Sequence, residues 1–422
     1  MASRACCRHG HICSIIPPYL LKAIADSSEN EHETRQAANT TLNHTNMILA
    51  ARSNAAATAP PRIQHLPQGI VPDHILRAIA QSEAVDDATR DSAQKTLQHS
   101  QAVRTDRQQI LKSTVEKLPQ QVHLDREIYN ANHSDDNSLL PGNKLRSEGE
   151  TAVAGSEEAI AETYDNLGAT FDFYAKVLNR NSIDDKGLIL IGSIHFGTNY
   201  GNAFWNSQQM VFGDGNTFIY NFTKALDVIG HELTHGVTEN TAGLAYHNQS
   251  GALNESVSDC FGVMIKQYKL QQKSTDADWL IGEDCLLPGV KGVALRSMKA
   301  PGTAFDDPRF GKDPQPATMS DYVQSSDDED GDYGGVHTNS GIPNHAFYLA
   351  CIGLGGYSWE KAGKIWYNTL LSSTITPEVD FKGFADITCS VAGSLFDADT
   401  QRVVHDAWVQ VGVYAADAGP SS

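Results

Sequence analysis

The stretch from Ala225 to Val237 reads ALDVIGHELTHGV, with Leu226, Val228, Ile229, Leu233 and Val237 recurring at helical spacing around His231-Glu232-Leu233-Thr234-His235. Four residues on an α-helix turn through about 400°, so His231 and His235 share one face and can hold one metal ion. Glu232 stands about 100° round from His231, beside the ion, where it is placed as the base for an activated water. Two histidines do not complete a site.

The segment Asn254-Glu255-Ser256-Val257-Ser258-Asp259 supplies the next group. On a helix Glu255 and Asp259 face the same way, and Glu255 completes a His2Glu set of the kind that leaves a fourth position open at catalytic zinc. Asp259, one turn on, is placed to accept the free ring N–H of a ligand histidine. The plain alternative, two solvated carboxylates on a surface helix, fits poorly with the apolar flanks Ala252, Leu253 and Phe261.

Around this centre lies a chain of 422 residues, 40% hydrophobic and 20% charged, with 34 Gly and 16 Pro. That is ordinary globular usage, long enough for two or three domains, and it excludes collagen-like or wholly disordered chains. Asp and Glu outnumber Lys and Arg by 51 to 32, for a net charge of −19. A field of that sign repels phosphate backbones and anionic lipid, so no nucleic acid and no membrane is expected as a partner. No apolar stretch reaches the roughly 18 residues that span a bilayer. Arg4, Arg8, His9, His11, Pro17 and Pro18 interrupt the region where a signal peptide keeps its apolar segment. Localisation stays open between secretion by another route and a cytoplasmic precursor. The seven cysteines imply no full disulfide framework. Cys260, Cys285, Cys351 and Cys389 sit singly in apolar surroundings and read as small buried hydrophobes.

The first hundred residues carry an internal repeat. Ile16-Pro17-Pro18-Tyr19-Leu20-Leu21-Lys22-Ala23-Ile24-Ala25 returns as Val71-Pro72-Asp73-His74-Ile75-Leu76-Arg77-Ala78-Ile79-Ala80, and Thr41-Leu42 and His44 return as Thr96-Leu97 and His99. Each copy predicts a Pro-initiated helix followed by a polar second helix. A module this small hides little apolar surface alone and is expected to pack on the main body or on its twin. The expected boundaries are 1–55 for the first copy, 56–120 for the second copy with its linker, 121–240 and 241–416 for two lobes of the main body, and 417–422 for a tail. Asn54 to Pro61 reads as the linker between copies.

Beyond Gln121 come a strand around Glu127-Ile128-Tyr129 and a helix with one apolar face at Ile160, Tyr164, Leu167, Phe171 and Tyr174. A β-rich stretch follows, with the run Leu188-Ile189-Leu190-Ile191 and turn signals near Gly197 and Gly215. From about Leu226 to Val413 the pattern is mostly helical. The fold class is α+β, with a β-rich amino-terminal lobe and a helical carboxy-terminal lobe.

Four further segments appear in one order: Asn202-Ala203-Phe204-Trp205, Gly213-Asp214-Gly215, Ala294-Leu295-Arg296-Ser297-Met298, and Gly334-Gly335-Val336-His337 followed by Thr338-Asn339-Ser340-Gly341. With these the sequence resembles the thermolysin family of zinc endopeptidases over roughly 300 residues. The duplicated module resembles the propeptide of that family's protealysin branch, which usually occurs once. The resemblance implies a two-lobe fold with zinc between the lobes, held by His231, His235 and Glu255, and Glu232 as general base. It implies His337 and Tyr246 as donors to a tetrahedral oxyanion, Asp332 as the partner of His337, Arg296 as the grip on a substrate carbonyl, and Asn202 with Ala203 as the edge that binds peptide backbone. Val228, Ile281 and Leu295 match positions lining the pocket for the side chain after the cleaved bond, and their apolar character predicts Leu, Phe or Ile there.

Without the resemblance, His337 reads as a loop residue and Arg296 as one half of an ordinary ion pair. The run Asp327-Asp328-Glu329-Asp330 reads as a solvated loop. The sequence departs from the family at its paired calcium site, where Asp227, Asp278 and Glu283 remain but Lys266 and Leu280 stand where acids are expected. An ammonium can neutralise the remaining carboxylates, so paired calcium is expected to be lost.

The start of the chain, Cys6-Cys7-Arg8-His9-Gly10-His11-Ile12-Cys13, is dense in metal-ligating groups. It can bind a metal itself, lend a thiolate to the catalytic zinc, or be a plain terminus. Residues 1 to about 120 are expected to inhibit the precursor and help it fold. The resulting expectation is a zinc endopeptidase precursor whose partners are a peptide or protein substrate and its own propeptide. Two rivals stand beside it. A zinc aminopeptidase shares the ligand set but needs a carboxylate for the substrate's free amine. A catalytically silent, zinc-stabilised binding protein needs neither Glu232 nor His337.

Overall fold

The computed structural model describes residues 13–14, 16–58 and 122–415, apart from 152–156, 199, 216–219, 221, 287, 309–310 and 329–330, with the backbone alone for 13–14 and 47–58. The second module copy, the linker to the main body, Cys6, Cys7, His9, His11 and the tail at 417–422 lie outside the described residues. The described residues before 59 and after 121 belong to one compact unit.

The first module copy contains β1 (Cys13–Ser14), α1 (Pro18–Asp26) and α2 (His32–Thr58). Pro17 caps α1 and Pro18 opens it, where a missing N–H costs nothing. The second helix runs further than the sequence suggested. It takes in Asn54 to Thr58, most of the expected linker, because Ala55, Ala56 and Ala57 are strong helix formers.

The amino-terminal lobe follows with β2 (Arg126–Asn130), β3 (Asn143–Ser147), α3 (Glu158–Leu178), β4 (Leu190–Ile194), β5 (Ala203–Trp205) and β6 (Met210–Phe212). Together with β1 these strands make a mixed sheet in the order β1-β5-β6-β4-β2-β3. On α3 the expected face is buried at Tyr164, Leu167, Phe171 and Tyr174, and Asn179 closes the helix in the left-handed conformation. β4 starts later than the run Leu188 to Ile191 suggested. Its parallel pairing with β2 begins at Arg126 opposite Leu190, and Ile189 is left 40% exposed.

The carboxy-terminal lobe comprises α4 (Leu226–Glu239), α5 (Asn248–Leu270), β7 (Leu280–Ile281), β8 (Arg296–Ser297), β9 (Asp306–Asp307), β10 (Gly311–Lys312), α6 (Asp332–Asn339), α7 (Gly341–Leu354), α8 (Ala362–Leu370), α9 (Phe381–Leu395) and α10 (Ala398–Gln410). The helical reading from Leu226 to Val413 therefore gives way between α5 and α6, where β7 pairs with β8 and β9 with β10. Helix α5 is the axis of the lobe, with nearly every side chain from Ser250 to Ile265 buried. It crosses α4 at Gly262, where a Cβ would lie 2.4 Å from the Asp227 carbonyl oxygen and 3.1 Å from the His231 nitrogen. Glycine at this crossing lets the two backbones approach and sets how close their functional side chains come. The four later cysteines are free and buried, as expected. Among the described residues no helix is long and apolar enough to cross a membrane.

The first module copy packs on this body. β1 adds to the edge strand β5 in antiparallel register, Cys13 opposite Trp205 and Ser14 opposite Phe204. Ile16, Leu20, Leu21 and Ile24 are buried in the same core as Trp205, Val228 and Leu295. Burial of such side chains contributes on the order of 1.5–3 kcal/mol each.

Candidate active site

Helices α4 and α5 bring three donors together. One ligand atom each from His231, His235 and Glu255 lies within 4.8 Å of the others, and all three residues are buried. Each imidazole is fixed from behind. His231 Nδ1 lies 2.8 Å from Asp259 Oδ1, and His235 Nδ1 lies 2.8 Å from Asn254 Oδ1. Acceptors at both Nδ1 atoms place the ring protons there and leave lone pairs on both Nε2 atoms. Those Nε2 atoms stand 3.1 Å apart, with Glu255 Oε2 3.5 Å from the one on His231. Lone pairs and a carboxylate converging in a buried space repel one another unless a cation lies between them. The donor set of two nitrogens and one carboxylate oxygen, with orienting groups behind, fits zinc.

Asp259 does more than hold His231. Arg296 donates to it twice, Nε to Oδ2 and Nη2 to Oδ1, each at 2.8 Å, and Asn344 donates to Oδ2 at 2.8 Å. Burial opposes its ionisation, but Arg296 and His231 outweigh that and bring the carboxyl down to about 2. Burial likewise opposes the charged form of His231, yet Asp259 and Glu255 lift the imidazole to about 9. The pattern of pairing sums to a buried site poised for positive charge.

The residues expected around the ion gather there. Tyr246 donates its hydroxyl to Glu255 in a short hydrogen bond, and that hydroxyl is 3.2 Å from His337 Nε2. His337 is held by Asp332 at two points: Nδ1 lies 2.6 Å from Oδ1, and the backbone N–H donates to Oδ2 at 2.9 Å. The bend that permits this is unusual, since Tyr333, Gly334 and Gly335 all take positive φ within α6. Burial disfavours the imidazolium, but Asp332 and Glu255 raise His337 above its ordinary value. Glu232 accepts from the Trp205 backbone N–H at 3.0 Å, which sets the carboxylate against β5. Val228, Ile281 and Leu295 are all buried.

Asn202 and Ala203 lie at the start of β5, and the first module copy reaches them. Ile16 donates its N–H to Asn202 Oδ1 at 3.0 Å, and Asn202 Nδ2 donates to the Ile16 carbonyl at 3.2 Å. The Gly201 N–H donates to Thr41 Oγ1 at 3.2 Å, and Asn202 Nδ2 donates also to Thr45 Oγ1 at 3.3 Å. His44 sits among the rings of Phe196, Tyr200 and Phe204. Tyr19 is drawn into the field of the site: burial raises its phenol well above the usual value, Asp313 and Asp332 add to this, and Arg296 opposes it.

Some of these partners escaped the sequence reading. Asn254 and Ser258, the latter with Oγ 3.1 Å from His235 Nδ1, repeat the four-residue spacing of Glu255 and Asp259, a signal present but unused. Asn344 and Gln315, which donates to the His337 carbonyl at 2.8 Å, have no local signal.

Known proteins resemble this chain over most of its length. The protealysin propeptide family model matches residues 13–55 and again 68–109, the thermolysin metallopeptidase catalytic domain matches 90–239, and its alpha-helical domain matches 242–413. An extracellular metalloprotease of Pectobacterium carotovorum subsp. carotovorum is 49% identical, covering 82% of this chain and 96% of that protein. Protease PrtS of Photorhabdus sp. (strain Az29) is 45% identical, covering 82% of this chain and 92% of its own. The solved precursor of protealysin, a metalloproteinase from Serratia proteamaculans, shares 48% identity over 82% of this chain and 99% of that one, with a TM-score of 0.67. The convergent His231, His235 and Glu255, joined to a propeptide match that occurs twice, place the chain in the thermolysin family of zinc metalloendopeptidases as a precursor of protealysin type.

Proposed function

We propose that the chain cleaves internal peptide bonds on the amino side of bulky apolar residues, with Glu232 as general base and His337 and Tyr246 as oxyanion donors. The observation that carries this reading is that α4, α6 and the turn before α5 bring Glu232, His337 and Tyr246, all buried, to the elements that hold the converging His231, His235 and Glu255. Zinc at this site supplies a Lewis acid that polarises the scissile carbonyl and acidifies water. Glu232, one helical position from His231, takes the proton from the attacking water and returns it to the leaving amine. His337, kept protonated by Asp332, and the Tyr246 hydroxyl meet the charge that develops on the carbonyl oxygen. Asn202 and Ala203 take the substrate backbone. Arg296 fixes Asp259, and the resemblance to the family makes it the grip on a substrate carbonyl. The buried apolar Val228, Ile281 and Leu295 support the preference for Leu, Phe or Ile.

The first module copy supports latency as the state of the full chain, because its backbone occupies Asn202 and the edge of β5. Residues 1 to about 120 are the inhibitor in this reading. Loss of paired calcium is supported by Lys266, whose Nζ lies 3.3 Å from Asp278, 3.5 Å from Glu283 and 3.7 Å from Asp227. Relatives named as extracellular favour export of the enzyme, by a route the sequence does not name.

Mass spectrometry of the purified chain, alone and with casein or an amino-blocked peptide, tests the reading against Glu232→Ala. Cuts before Leu, Phe or Ile that vanish in the variant are expected. Release of single amino-terminal residues would instead favour the aminopeptidase, and no cleavage by a chain lacking residues 1–120 would favour a silent binder.

A further inference from the structure

A second cluster of metal-binding side chains lies at the carboxyl ends of the parallel strands β2 and β4. The chain leaves both strands in tight turns, and these turns are laced together. The Ala131 N–H donates to the Ile194 carbonyl, that of His133 to the His195 carbonyl at 2.8 Å, and that of Gly197 to the Ser134 carbonyl at 3.1 Å. His133 and His195 both take positive φ, 56° and 59°, a conformation that costs energy for a residue with a Cβ. Asp214 enters from the turn after β6, pinned on either side: the Gly213 N–H donates to the Asn202 carbonyl and that of Gly215 to the Tyr200 carbonyl, each at 3.0 Å.

Three rigid turns thus deliver two imidazoles and a carboxylate to one place, with one ligand atom from each within 4.8 Å of the others. Asp214 Oδ1 lies 2.7 Å from His195 Nδ1, and its Oδ2 lies 3.3 Å from His133 Nδ1. His195 is the informative member. Its side chain is only 12% exposed, yet it meets a carboxylate at both ring nitrogens, Asp214 at Nδ1 and Glu157 at Nε2, the latter 3.1 Å away. One ring proton satisfies only one of them. With Nε2–H given to Glu157, the pairing is completed at Nδ1, beside Asp214 and His133, by a second proton or by a metal cation bound there, and the convergence of a second imidazole on the same carboxylate favours the metal. The same division of labour holds at the candidate zinc site, where Asp259 takes one nitrogen of His231 and the other faces His235 and Glu255.

We propose that His133, His195 and Asp214 form a second metal site for a borderline divalent cation of the zinc, nickel or copper class, with Glu157 orienting His195. Two imidazoles and one carboxylate suit that class better than calcium or magnesium, which take oxygen ligands. The role is structural. His195 and Asp214 flank the β5–β6 hairpin that carries Asn202 and Ala203, so the ion ties the base of that hairpin to the turn after β2.

Zinc counted per chain tests this on the full-length Glu232→Ala protein, which keeps its catalytic ligands and does not digest itself. After dialysis against free zinc, His133→Ala and Asp214→Asn should each hold one equivalent fewer than the parent, while His231→Ala loses a different one. Reading the count as a difference removes any contribution from the Cys/His-rich start of the chain. Added zinc should also raise the melting temperature of the parent more than that of His133→Ala, whose exposed position makes misfolding a poor explanation. Equal zinc counts in the parent, His133→Ala and Asp214→Asn would overturn the proposal.

Discussion

Ile16 and Asn202 exchange two hydrogen bonds, the Ile16 N–H donating to Asn202 Oδ1 at 3.0 Å and Asn202 Nδ2 donating to the Ile16 carbonyl at 3.2 Å. Both ends of one peptide-like acceptor and donor pair are thereby used by residue 16, which comes from a module remote in sequence. A substrate strand that needs Asn202 must displace Ile16 first. The copy that makes these contacts is the distal one, although the second copy lies nearer in sequence to the catalytic lobes.

Ile16 is fully buried against the catalytic core, so Ile16→Ala should weaken docking by about 2–4 kcal/mol. The full-length chain should then show at least about a tenfold rise in its initial rate on a blocked peptide, before any processing appears on a gel. An unchanged rate would mean that the contact does not restrain the enzyme.

Glu232→Gln keeps the shape of the side chain and removes the base. Hydrolysis should fall by about 10²–10⁴-fold while the zinc content stays the same. Loss of the metal along with the activity would instead put Glu232 among the ligands.

Asp332→Asn should lower kcat with little change in KM, by about 10–100-fold, since in the proposed reaction His337 meets charge that exists only in the transition state. The direction in pH follows from the pairing. Burial alone pulls His337 down and Asp332 lifts it; without that carboxylate the imidazole loses its proton at lower pH. The alkaline limb of kcat against pH should therefore move toward acid, and a limb that stays put would separate it from His337.

Lys266 faces Asp227, Asp278 and Glu283, and its own side chain is 14% exposed. Calcium should leave the melting temperature of the parent unchanged. Lys266→Glu should lower stability by about 3 kcal/mol in chelator, and calcium should restore part of it. A large calcium effect on the parent that Lys266→Glu does not alter would refute the exchange of metal for ammonium. Burial lowers the lysine and the carboxylates raise it above its ordinary value. Its stabilisation is therefore full below the unfolded-state pKa and is lost as the pH rises through the folded one, so the parent should weaken in the strongly alkaline range.

The candidate metal centre was legible because its residues come in two local pairs. His231 with His235 and Glu255 with Asp259 each span one helical turn, and a four-residue spacing fixes direction without knowledge of the fold. The apolar face of α3 and the Pro-initiated start of α1 were readable for the same reason. The end of α2 and the start of β4 were not, because alanine propensity extended the one and pairing with β2 delayed the other. The fate of the module's second copy, of Cys6, Cys7, His9 and His11, and of the linker falls outside the described residues.

Sequence by itself picked out the candidate ligands, the candidate base, the two-lobe α+β class and the duplication, since each rests on residue type and on periodicities imposed by backbone geometry. Only the tertiary structure decided what stands behind and across from those groups: Asn254 behind His235, Arg296 and Asn344 on Asp259, Lys266 among three carboxylates, Ile16 on Asn202, and His133 with His195 on Asp214. These contacts join residues far apart in the chain. Hydrogen bonds and ion pairs depend on distances of a few ångströms, and such distances are set by how α4, α5 and the sheet pack, which no local spacing encodes.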